Sequence, residues 1–94
     1  MLFKYATLEY KIKDVALQEV GEPKTIFLIA SYYHNKNNDR NGFILYSTSD
    51  MESWDIRQAA PLVNTILFET AEEAFSIGEK IVRDNNKIHL QILN

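Results

Sequence analysis

The chain has 94 residues, enough for one domain that buries roughly two-thirds of the surface its unfolded form would expose. It holds no cysteine, which removes disulfides, thiolate metal sites and cysteine nucleophiles, and which fits a cytoplasmic location. Ten Lys and Arg against 13 Asp and Glu give a formal charge of −3, the wrong sign for a domain that works by neutralising phosphates, so nucleic acid is not favoured.

Met1–Tyr10 carries Lys4 and Glu9 and no apolar stretch of the signal-peptide kind. Thr7 to Lys13 alternates polar and apolar without a slip, which predicts a half-buried strand with Leu8, Tyr10 and Ile12 on one face. Residues 2–20 also admit two strands, one bent strand or a helix, since no Gly or Pro precedes Gly21. The strict alternation and the Tyr, Thr and Ile content favour strand. The phase breaks at Asp14 before Val15 and Leu17, as a β-bulge would produce. Gly21-Glu22-Pro23-Lys24 has the composition of a turn. Thr25–Tyr33 is apolar on both faces and predicts a central strand. Its longest apolar run, Ile26–Ala30, is far too short to span a bilayer, so no membrane association is expected.

His34–Gly42 reads as a nine-residue polar loop rich in residues that tolerate the left-handed region, with Phe43–Ser49 returning as a strand. Ser49 or Asp50 can cap a tight helical turn through Ser53. Trp54–Arg57 then reads as a strand, Pro61 ends that segment, and Leu62–Phe68 is a further strand candidate. Thr70-Ala71-Glu72-Glu73 is a capping box, in which the Thr70 hydroxyl accepts from the Glu73 N–H and the Glu73 carboxylate reaches back to Thr70. Ala71, Ala74, Phe75, Gly78, Ile81 and Val82 form one stripe at helical spacing. Gly78 in that stripe implies close approach of the helix to the sheet. Asn85-Asn86 is expected to stop the helix after Asp84. Ile88, Leu90 and Ile92 alternate with His89 and Gln91 as a closing strand. The expected fold over residues 1–94 is therefore α+β: a curved antiparallel sheet of about five or six strands, one helix at about 71–84 packed on it, and a closing C-terminal strand.

Two local resemblances carry no activity across. Phe43–Leu62 resembles the strand, Ser-x-Asp turn and Trp hairpins in the blades of five-bladed glycosidase propellers, but a chain this short cannot build five four-stranded blades. Ile26-Phe27-Leu28-Ile29 resembles the shorter motif of RNA-recognition domains, and Arg40–Tyr46 loosely resembles the longer one. That family needs a strand and a helix between the two, and here one loop joins them.

No catalytic constellation is legible. His34 and His89 lie on different elements without ligand spacing. Asp50, Glu52 and Asp55 lack the mid-loop Gly and terminal Glu of a calcium loop, so turn capping accounts for them better. No cofactor or metal is expected. What stands out is Tyr32, Tyr33, His34, Lys36 and Arg40, an aromatic and basic cluster of the composition enriched at protein-binding hot spots. The leading expectation is a non-enzymatic interaction or regulatory module binding a partner protein, with a homodimer as one way to cover an open sheet edge. The alternative is a small-molecule site between helix and sheet with Trp54 and Tyr46 in its lining.

Overall fold

The computed structural model describes residues 10–18, 23–35, 37, 39–64 and 66–93, with 35 and 88–93 by backbone only. Strand β1 spans Tyr10–Leu17, β2 Lys24–Asn35 and β3 Arg40–Thr48, an antiparallel meander in the order β1-β2-β3. Helix α1 spans Ala71–Leu93 and crosses one face of this sheet. The class is α+β, with three strands in the sheet among the described residues.

β2 lies in the centre because it is apolar on both sides, and Leu28, Ile29 and Ala30 are fully buried. The register sorts the side chains. One row crosses the sheet as Lys13, Leu28 and Ser47, the next as Ile12, Ile29 and Tyr46. Val15, Leu17, Leu28, Ala30 and Leu45 face α1 and close the core with Ala71, Ala74 and Val82. Each fully buried Leu in this layer contributes on the order of 2 kcal/mol of transfer free energy. Gly78 lets the helix settle close, since a Cβ there would meet a Leu45 methyl at 2.9 Å and a Leu28 methyl at 3.2 Å.

The break in polarity at Asp14 is not a bulge. Tyr10 to Leu17 pairs with Ser31 to Lys24 without interruption. The apolar residues change faces instead: Val15 and Leu17 point to α1, while Tyr10 and Ile12 stand on the far face, 48% and 44% exposed. Lys11 and Lys13 take the helix side at that end. They reach Glu72 at 3.8 Å and Glu79 at 3.1 Å, which explains why a polar pair sits under the first turns of α1. Thr7–Glu9 and the Gly21-Glu22 half of the turn expected at Gly21–Lys24 lie outside the described residues, and Lys24 opens β2.

Three further expectations are corrected. The segment Ile88–Ile92 is not a closing strand, because α1 runs through Asn85-Asn86 to Leu93. Asn costs a helix little, and extending a formed helix fixes only one residue per hydrogen bond. Trp54–Arg57 is a turn: Asp55 accepts the Arg57 N–H on its carboxylate at 3.0 Å and those of Gln58 and Ala59 on its carbonyl. The expected strand Leu62–Phe68 is not formed: residues 62–64 and 66–68 are an irregular cover along β3, touching it at Leu62 N–H to Leu45 C=O (2.7 Å) and in one bridge between Phe43 and Phe68. Among the described residues the sheet therefore has three strands in place of the five or six expected, because these segments spend their hydrogen bonds on turns and isolated contacts.

The cap at α1 is as expected in its first half. The Thr70 hydroxyl accepts the Glu73 N–H at 3.1 Å. The Glu73 carboxylate accepts from Glu69 N–H at 3.3 Å, one residue earlier than the reciprocal partner of a capping box.

Candidate functional site

The sheet face away from α1 holds the residues of interest. Ser31, Tyr33, Ile44 and Tyr46 project from β2 and β3, and the turn after β3 brings Ile56 and Arg57 over them. Together, with Tyr32 and His34 at the end, they line a cleft of about 400 Å³. A second cleft of about 200 Å³ adjoins it. It is lined by Tyr33, Arg40 and Ile44 together with Pro61, Val63, Ile66 and Leu67. Tyr33 and Ile44 are common to both, so the two clefts form one groove with an aromatic and aliphatic middle.

Local chemistry sets the groove's walls. Asp50 accepts the Glu52 N–H (3.0 Å) and the Ser53 hydroxyl (3.0 Å), closing the turn that follows β3. Asp55 grips Arg57 through both carboxylate oxygens at 3.1 and 2.9 Å. The Arg57 hydrogen bonds hold the Asp55 carboxyl below its ordinary value. The acidic trio Asp50, Glu52 and Asp55 thus serves turn geometry. Among the described residues no three His, Asp or Glu side chains stand together as a metal site. Trp54 anchors this turn to the sheet, edge-on to Tyr46 at 5.6 Å and to Tyr10 at 6.4 Å between ring centroids. Burial pushes the Tyr46 phenol above its ordinary value.

The structure gathers most of the residues singled out from sequence along these two clefts. Tyr32, Tyr33, His34 and Tyr46 come together in the larger cleft, and Arg40 joins Tyr33 in the smaller. Tyr32 and His34 belong to the helix-side row of β2 and reach the cleft at its end; the Tyr32 ring meets Phe43 edge-on at 5.5 Å and its hydroxyl accepts from Asn41 at 3.3 Å. Tyr46 and Trp54 are on the face opposite α1, so they line no cavity between helix and sheet. Lys36 lies outside the described residues. The expected nine-residue loop is shorter, because β2 reaches Asn35 and β3 begins at Arg40, leaving residues 36–39 as the connection. Asp39 takes the left-handed conformation that turn requires, with φ of 54°, and its carboxylate lies 4.0 Å from His34.

Sequence reasoning missed Ile44, Ile56 and Arg57. The period-two sets Ile29, Ser31, Tyr33 and Ile44, Tyr46 would have placed Ile44 beside Tyr33. Nothing local announces that the 55–57 turn folds back over the sheet.

Among the described residues no helix is long and apolar enough to cross a membrane. No protein-family model, no curated protein and no solved structure matches the chain.

Proposed function

We propose that the domain is a non-enzymatic interaction module that holds a segment of a partner protein in the groove on the open face of its sheet. The observation that carries this reading is the shared middle of the two clefts. Tyr33 is 38% exposed there, flanked by Ile44, with Arg40 in one cleft and Arg57 in the other. Tyr and Arg around an apolar floor are the residue types that supply most binding energy in protein interfaces. The aromatic and aliphatic middle suits a segment that places an apolar side chain there. Pro61, Val63, Ile66 and Leu67 give the groove one wall, and the Asp55 turn gives it the other.

The double substitution Tyr33→Ser with Arg40→Ala tests the reading. Both side chains are exposed, so the variant should fold with unchanged circular dichroism. Capture of partner proteins from the native host by tagged variant should fall well below wild type. A folded variant that captures the same proteins in the same amounts would sink the assignment to this groove.

A further inference from the structure

A cleft independent of the groove opens at the other end of the core, on the helix side of the sheet. About 330 Å³ lies between α1 and the strands where β1 ends and β2 begins. Its apolar walls are Leu17, Ile26, Leu62 and Val82; Leu17 and Val82 belong to the core cluster, and Ile26 and Leu62 pack against it.

Three polar residues converge on this cleft from positions where the patterning calls for apolar ones. Lys24 continues the β2 row of Ile26, Leu28 and Ala30 that faces α1. Ser47 continues the β3 row of Phe43 and Leu45. Asn85 continues the stripe of Ala71, Ala74, Gly78 and Val82 along α1. Each element breaks its own pattern at the same place, and such concerted breaks are where a functional requirement overrides packing. Among the described residues none of the three side chains has a hydrogen bond or ion pair to another group. Asn86 beside them is engaged, donating to the Gln18 carbonyl at 2.7 Å, which fixes this part of the helix over the end of β1.

From this convergence we propose that the cleft binds an amphipathic carboxylate. Its aliphatic tail lies against Leu17, Ile26, Leu62 and Val82, and its carboxylate accepts hydrogen bonds from the Lys24 ammonium, the Ser47 hydroxyl and the Asn85 amide. The volume lies at the lower end of the range for small-molecule sites, which suits one short chain. The charge of Lys24 selects an anion over an alcohol of equal length.

Calorimetry with octanoate and with 1-octanol tests this. Octanoate should bind one to one, and octanol roughly tenfold more weakly, the worth of one charge-assisted hydrogen bond. Lys24→Met, a substitution at an exposed position, should bring octanoate down to the level of octanol and leave octanol unchanged. Methyl NMR shifts should fall on Leu17, Ile26 and Val82. The Tyr33→Ser, Arg40→Ala variant should bind octanoate as wild type does, which keeps this site distinct from the groove. The proposal is overturned if octanoate does not bind, if octanol binds equally well, if Lys24→Met leaves octanoate unaffected, or if the shifts gather on Ile12, Ile44 and Ile56.

Discussion

Replacing Gly78 by alanine sets two effects of similar size against each other. Inside an exposed helix the change is worth about 1 kcal/mol of stability. Here the new methyl would sit 2.9 Å from Leu45 Cδ2 and 3.2 and 3.3 Å from the two Leu28 methyls. Carbon atoms prefer about 3.5–4.0 Å. Leu28 and Leu45 are both fully buried, so any methyl that gives way must move within the packed core. Overpacking of this kind costs about 1–3 kcal/mol. The net expectation is a loss of about 1 kcal/mol, or a Tm lowered by about 4–8 °C for a domain of this size. Gly78→Leu should lose considerably more. Urea denaturation measures both, with an unchanged m-value as the sign that only stability moved. A sharper form uses Leu45→Ala as background, because it removes the closest methyl. There Gly78→Ala should turn stabilising, and the coupling between the two sites reads out the contact directly. If Gly78→Ala stabilises the wild-type chain by about 1 kcal/mol, as in an exposed helix, the helix does not seat on Leu28 and Leu45 as described.

Three other perturbations test separate parts of the structure. Thr70→Ala removes the acceptor of the Glu73 N–H and should cost about 1 kcal/mol in the same urea assay, while Thr70→Asn should restore most of it. Gly42→Ala should cost more, about 2 kcal/mol, since φ is 152° and a Cβ would meet the Phe68 carbonyl at 2.8 Å; loss of the Phe43 to Phe68 bridge would show as faster amide exchange at Phe68. The Glu79 carboxyl is held below its ordinary value of 4.5, first by the Arg83 hydrogen bond and then by Lys13. Its contribution is therefore present above that pH and lost as pH falls through the lower folded value. The stability gap between wild type and Glu79→Gln should narrow on acidification below 4.5, and a gap that stays constant to lower pH would contradict the linkage.

The parts of the fold legible in sequence were those governed by local chemistry. The cap at Thr70, the stripe from Ala71 to Val82, the meaning of Gly78 and the central place of Ile26–Ala30 all follow from spacing and composition. The rest turned on competition between distant segments. Ile88, Leu90 and Ile92 alternate like a strand, but the helix already formed upstream captures them, and Ile81, Ile88 and Ile92 also stand at helical spacing. Trp54–Arg57 has strand-forming residues, but Asp55 offers its backbone a nearer partner than any strand could. The groove was half legible. Tyr33 and Arg40 were marked by composition, whereas Ile56 and Arg57 reach the site only through a turn that folds back across the sheet. The three polar residues of the helix-side cleft were invisible singly, because each departs from its pattern at an element's end, where departures are ordinary.

The ion pairs that tie β1 to α1 also bear on what two copies of this chain do when they meet. Among the described residues β1 is a sheet edge, and an edge strand offers its backbone to any other edge strand. Symmetric antiparallel pairing of two copies requires partners of matching face. The two longest such registers set Lys13 against Lys13 or Asp14 against Asp14, and the next shorter one toward Tyr10 sets Lys11 against Lys13. Like charges directly across a strand pair repel. Arg83 donates to the Ala16 carbonyl at 3.1 Å and Asn86 to that of Gln18, which occupies acceptors at the strand's far end. The residues that fasten the helix therefore also discourage the edge from propagating into a stack of copies. A protein that presents apolar surface on its open sheet face can in this way keep its sheet from serving as a template for its own aggregation.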